Sequence, residues 1–99
     1  MKTIYISGPI TGIEATAPQL FKEAEDFLKA KGYEVVNPMT INHDHDKRWT
    51  NYMKTDIIAL MECDAIFMLE NWEESKGALI ENFNAIALGY DIIYQKKKT

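Results

Sequence analysis

Four short apolar runs along this chain are separated by longer stretches in which apolar residues recur at helical spacing. Lys2 to Ser7 (KTIYIS) is a β-branched and aromatic run stopped by Gly8-Pro9, which reads as a strand entering a loop. Thr16 is placed to cap a helix with Pro18 in its first turn, and Leu20, Phe21, Ala24, Phe27 and Leu28 then recur until Gly32. Tyr33 to Val36 is a second strand closed by Asn37-Pro38, and Met39 to Asp46 is polar and irregular, a loop. Helical spacing returns from Lys47 to Cys63 through Trp49, Tyr52, Met53, Ile57, Leu60 and Met61. Asp64 to Leu69 is nearly all apolar, as expected of a strand covered on both faces. Ser75 to Leu88 is a third helix ended by Gly89, and Tyr90 to Tyr94 a last strand.

Strands that alternate with helices imply parallel βαβ units with right-handed crossovers. The expected fold is therefore α/β: a three-layer sandwich with a Rossmann- or flavodoxin-like parallel sheet of four to five strands, in one domain over residues 1–99. In such sheets ligands sit beyond the carboxyl ends of the strands, where the strand order reverses. The loops at residues 8–16, 37–46 and 71–75 should meet there.

Charge and cysteine content narrow the function. A net charge of −4 argues against binding a nucleic-acid polymer, which relies on Lys and Arg neutralising phosphates. Lys96-Lys97-Lys98 is the only basic run and reads as a solvated end. Cys63 is the sole cysteine, so no internal disulfide forms, and it reads as a small buried hydrophobe. No apolar run reaches the roughly 18–20 residues that span a bilayer, and the chain opens directly on a strand pattern. A cytoplasmic protein with no membrane partner is expected.

The stretch Ser75-Lys76-Gly77-Ala78-Leu79-Ile80-Glu81 carries the clearest candidate chemistry. A helix opens there just after an apolar strand, and its first backbone N–H groups lack helical partners and point into the crevice. Glu81 lies about 9 Å along the axis from Ser75 at roughly 1.5 Å per residue, so mouth and carboxylate can hold two parts of one small polar ligand. A surface Glu fits the pattern as well. Asp56 shares a helical stripe with Trp49, Tyr52 and Leu60, where a carboxylate is costly unless paired or protonated; a surface Asp near Lys54 or Arg48 is the alternative. Two carboxylates at one crevice suit glycosidic-bond chemistry, whose oxocarbenium-like transition state is positively charged.

Other features read more weakly. In the first loop, Gly8 and Gly12 permit positive φ and close approach to a ligand, but neither phosphate-loop fingerprint is present. Asp64, at the start of the third strand, reads as structural. His43-Asp44-His45-Asp46 lacks the helix-spaced His pair of common zinc sites, and reads as a solvated or lid loop beside the crevice instead of a metal site. Tyr5, Trp49, Tyr52 and Trp72 can stack on a flat base or simply pack.

Taken together, YISGPITG from Tyr5, then VVNP, then the W--YM--DI--L--CDAI pattern from Trp49, then WEESKGALIENFNAIALG from Trp72, resemble the nucleoside 2-deoxyribosyltransferase-like family. The likeness is closest to short bacterial and phage members, related to 2′-deoxynucleoside 5′-monophosphate N-hydrolases. It runs from Tyr5 to Tyr94. The resemblance implies that Glu81 is the nucleophile forming a glycosyl-enzyme ester, that Asp56 donates a proton to the leaving base, and that Tyr5 orients the nucleophile. It implies that Ser75 and Gly77 form the helix mouth, which grips the 5′-phosphate in the nucleotide hydrolases. With Gly8, Pro9, Asn37 and Trp49 they make up the expected substrate-binding set, and this mechanism needs no metal and no organic cofactor. The partners it implies are a small nucleoside or nucleotide and further copies of the chain, as a homodimer or higher oligomer.

The chain also departs from that family. Pro9 and Thr11 stand where the nucleotide hydrolases carry Ser and Arg, which removes a bidentate phosphate donor. Phe83 stands where the family has glycine, and is expected to narrow or reshape the pocket. The function expected is cleavage or transfer at an N-glycosidic bond. The alternative is a non-catalytic module that binds a nucleotide in the same crevice.

Overall fold

In the computed structural model, which describes residues 2–97, four strands form one fully parallel sheet. The strands are β1 (Thr3–Ser7), β2 (Glu34–Val36), β3 (Ala65–Met68) and β4 (Asp91–Tyr94); the helices are α1 (Ala17–Ala30), α2 (Trp49–Met61) and α3 (Lys76–Ala87). Short 3-10 turns at Pro38–Thr40 and Trp72–Glu74 lie in segments read from sequence as plain loop. The strand order is β2-β1-β3-β4, so the chain reverses direction between β1 and β3. This is the start of the flavodoxin-like order, whose ligand crevice opens at that switch point.

Period-2 alternation on β1 divides the interior. Ile4 and Ile6 point to one side and pack with Phe21, Ala24 and Leu28 of α1 and Phe67 of β3. Tyr5 points to the other side and joins Leu60, Cys63, Ile66, Met68, Ala78 and Ala85, under α2 and α3. The sheet thus carries one helix on one face and two on the other, and β3 is buried throughout. Tyr5 pairs with Ile66 and Ser7 with Met68, which brings the carboxyl ends of β1 and β3 level at the switch point.

Several local details differ from the sequence reading. Thr16 occupies the N-cap position of α1, but its backbone is already helical and its hydroxyl donates back to the Ile13 carbonyl, so it caps nothing. Helix α2 begins at Trp49, two residues later than expected, because Arg48 is extended. Gly12 does adopt positive φ (+91°), whereas Gly8 does not; a Cβ on Gly8 would lie 2.6 Å from the Leu69 side chain, so close packing is what requires glycine there.

Cys63 is buried, with its thiol donating to the Ala59 carbonyl, and burial followed by the charges of Asp64 and Glu62 pushes its pKa up to about 11. That thiol is no nucleophile. Asp64 accepts from the Thr3 backbone N–H, at the amino end of the sheet and far from the crevice. In the terminal basic run, Lys97 pairs with Glu73, and Lys98 lies outside the described residues. No helix among the described residues is long and apolar enough to cross a membrane.

Candidate active site

At the carboxyl end of β1, Tyr5 and Ser7 project from the same strand face toward α3. Both meet Glu81. The Tyr5 phenol donates to Oε2 at 2.7 Å and the Ser7 hydroxyl donates to Oε1 at 2.6 Å. Glu81 is only 5% exposed, so its two oxygens are held by two hydroxyls in a nearly dry setting. Burial is the main cause that raises its pKa to about 7; the nearby Asp56 raises it further, while the two hydroxyl donors pull it down. Burial and the Glu81 charge hold the Tyr5 phenol well above its usual range, so it stays a donor.

Glu81 lines one wall of a cavity of about 460 Å³, within the usual range of small-molecule sites. Helix α2 supplies the opposite wall with Trp49, Tyr52, Met53 and Asp56, at successive i, i+3, i+4 and i+7 positions. Asp56 is 7% exposed, and its carboxyl pKa is raised by burial and lowered by a hydrogen bond from His43. The two carboxylates therefore reach the same cavity from different helices.

The helix mouth contributes Ser75, Gly77 and Ala78. Ser75 is the N-cap of α3, and its hydroxyl accepts from the Ala78 N–H at 3.1 Å, so one opening donor is already satisfied within the helix. Gly77 leaves room for Met53, whose sulfur would lie 3.0 Å from an added Cβ. Lys76 crosses to the other wall and stacks its ammonium over the Trp49 ring at 4.8 Å.

Of the expected site residues, Glu81, Asp56, Tyr5, Gly8, Trp49, Ser75 and Gly77 all line this cavity. Pro9 and Asn37 do not. Pro9 is buried in the turn, and the Asn37 side chain is consumed structurally: Oδ1 accepts from the Met39 N–H, and Nδ2 donates to Glu25. Trp72 packs against Tyr94 instead of facing the cavity. Phe83 is 72% exposed on the outer side of α3, so it does not narrow the pocket.

Two functional candidates escaped the sequence reading. Ser7 carried a usable signal, since it lies two residues after Tyr5 and must share its strand face. In sequence His43 reads only as part of a solvated or lid loop beside the crevice, because loop residues have no period that singles one of them out. Its Nε2 lies 2.8 Å from Asp56 Oδ1, and its ring lines the cavity. His45 packs edge-on to Tyr52, and among the described residues no group of three His, Cys, Asp or Glu side chains is arranged to hold a metal ion.

The sequence profile of a family described as a domain of unknown function (DUF4406) matches residues 2–94. No curated protein matches the chain. Among solved structures, a 2-desoxiribosyltransferase from Leishmania mexicana superposes with a TM-score of 0.73 at 22% identity, over 100% of this chain and 67% of that one. A 2-deoxyribosyltransferase from the psychrotolerant bacterium Bacillus psychrosaccharolyticus superposes with a TM-score of 0.69 at 21% identity, over 93% and 70% respectively. The chain has the fold of those proteins.

Proposed function

We propose that this chain, which belongs to the DUF4406 family, cleaves or transfers at the N-glycosidic bond of a nucleoside or nucleoside 5′-monophosphate. The observation that carries this reading is the pair of carboxylates. Glu81, buried and gripped by Tyr5 and Ser7, faces the same cavity as Asp56, itself buried and hydrogen-bonded. The fold shared with the 2-deoxyribosyltransferases supports the same reaction class.

In this reading the Glu81 carboxylate attacks the anomeric carbon while Asp56 gives a proton to the departing base. The glycosyl ester is then resolved by water or by a second base. Trp49 and Tyr52 line the cavity as aromatic surface beside the base, and the α3 mouth holds the sugar end. Tyr5 and Ser7 fix the nucleophile's direction and stabilise its charge, since donors aimed at a buried anion are stronger than in water.

Chromatographic detection of free base from a panel of ribo- and deoxyribonucleosides and their 5′-monophosphates, with and without an acceptor base, tests the reading. Base release by the wild type and its loss in Glu81→Ala is the expected result, a fall on the order of 10⁴-fold or more, as for other lost nucleophiles. Ligands that raise the melting temperature without base release would make the chain a binding module.

We also infer that the chain self-associates. Leu79, Phe83 and Ile86 form an outward apolar stripe at i, i+4 and i+7 on α3, and Ile58 and Met61 are exposed on the adjoining α2. Sedimentation should show a dimer or larger species that Phe83→Ser weakens, with the monomer fold intact.

A further inference from the structure

The loop at residues 41–46 is folded back on α2, and one of its side chains reaches the site. The His43 ring lies 4.9 Å from the Tyr52 ring, and His45 packs edge-on against both, at 5.3 Å from His43 and 4.8 Å from Tyr52. His45 is in turn fixed by donating Nδ1–H to the Asp46 carbonyl at 2.7 Å, and the Lys47 ammonium donates to the His43 carbonyl. Tyr52 precedes Asp56 by one helical turn on the same stripe, so a ring resting on Tyr52 is held level with the Asp56 carboxyl. His43 Nε2 meets Oδ1 at 2.8 Å; Oδ2 has no hydrogen-bond partner among the described residues, and Asp56 lines the cavity.

We propose that His43 is a positioning residue for the acid of the reaction: its Nε2–H, held on Oδ1, turns the Asp56 carboxyl so that Oδ2 presents its proton to the leaving base. This rests on the glycosidic reading above. A carboxylic acid has one oxygen that accepts and one that donates, and nothing intrinsic decides which faces the substrate. A fixed N–H donor decides it, because the carbonyl oxygen is the stronger acceptor, so an N–H held on Oδ1 favours the form whose O–H sits on Oδ2.

The proton balance follows. As the anomeric carbon–nitrogen bond breaks, its electron pair goes to the base nitrogen, which takes the proton from Oδ2. A bond forms meanwhile between the anomeric carbon and a Glu81 oxygen. Asp56 is left as a carboxylate, and the His43 hydrogen bond becomes charge-assisted at the moment the negative charge appears. Water then adds its hydroxyl to the anomeric carbon, frees the Glu81 carboxylate and returns its proton to Asp56. His43 itself gains and loses no proton. Glu81, Tyr5, Tyr52, His45 and Lys47 are ionisable groups that face the pair.

Two measurements on the full chain test this. Long-range proton–nitrogen NMR of the imidazoles should place the His43 proton on Nε2; a neutral ring protonated only on Nδ1 overturns the proposal. The second is a leaving-group comparison across wild type, His43→Leu and His43→Gln. It sets the best nucleoside or nucleotide of the panel against a deoxyriboside of 4-nitrophenol, whose anion departs without a proton. His43→Leu should lower kcat on the nucleoside about 10-fold or more, part of the roughly 10²–10⁴-fold that a positioned acid supplies. KM and the nitrophenyl rate should stay within about threefold. His43→Gln, which keeps an N–H donor at similar reach, should recover most of the loss. Equal losses on both substrates, or no recovery by Gln, would reduce His43 to a loop anchor and leave the glycosidic reading standing. A wild type with the Nε2–H ring but no base release from any panel member would remove the glycosidic reading, and this proposal with it.

Discussion

The two faces of the sheet are built from neighbouring residues of one strand and have little else in common. On the α1 side, Ile4 and Ile6 meet Phe21, Ala24, Leu28, Phe67 and Leu69, and the buried cluster there contains no ionisable group. On the α2–α3 side, Tyr5 and Ser7 meet Glu81, and the same layer buries Asp56 and Asn82. A single step along β1 moves from hydrocarbon to hydroxyl. Burial of apolar area stabilises the first face, while the second bears the desolvation of two carboxylates. Folding strength and reactivity are thus divided between the faces of one thin sheet, and substitutions should separate them.

The largest effect expected of a single change that tests this division is on the apolar face. Phe21→Ala, at a fully buried position, should cost about 3–5 kcal/mol of stability, a large share of what a domain of this size has. Below its lowered melting temperature the variant should keep the KM and kcat of the wild type. Urea unfolding beside steady-state assays checks both; a loss of activity in the folded variant would mean that the faces are not independent.

On the polar face, Glu81→Gln should stabilise the protein while abolishing turnover. The Glu81 pKa rises from 4.5 in the unfolded chain to about 7 in the fold. Between those values the native state holds more protons than the unfolded chain, so this carboxyl costs stability progressively as pH rises from 4.5 through about 7. The cost is fully developed above pH 7, at about 3 kcal/mol. Gln carries no charge to desolvate. The variant should therefore melt higher than wild type at pH 8, with the gain vanishing at pH 4, which thermal melts across that range will show.

Smallest of the three is Ser7→Ala. The Ser7 hydroxyl lowers the Glu81 pKa, so its removal should move the acid limb of the pH–rate profile to higher pH. At a fixed pH on that limb the rate should fall about 10-fold, the worth of one hydrogen bond to a charged acceptor. An unmoved acid limb would mean that another group sets it.

Much of the molecule was legible because the signals are local. A β-branched and aromatic run stopped by Gly8-Pro9 marked β1, and the spacing of Phe21, Ala24 and Leu28 marked the inner face of α1. The stripe Trp49, Tyr52 and Asp56 made an inward carboxylate one of two readings, and in the structure Asp56 is buried and lines the cavity. At Phe83 the expectation came from the family resemblance instead, and it misled. A position in a motif gives a residue's address on a helix, but which side of that helix is covered depends on what packs against it; α3 packs against the sheet, α2 and the turn at Trp72–Glu74, and Phe83 is left exposed. Asn37 was misread for a related reason: an Asn before Pro is suited both to a ligand and to its own turn, and here the turn and Glu25 take every hydrogen bond it makes.

By itself the sequence determined the main strands and helices and the parallel α/β layering, since apolar runs, the 3.6 period and the turn residues act over a few positions; it left each of the two carboxylates open between crevice and surface. Only the tertiary structure decided who their partners are. Tyr5 and Ser7 reach Glu81 across separations of 76 and 74 residues, and His43 reaches Asp56 from a loop with no periodicity. Those meetings exist because two crossovers set β1 beside β3, and because a loop without any pattern of its own found its place against the aromatic face of α2. Such contacts are fixed by packing over the whole chain, and no short window of sequence contains them.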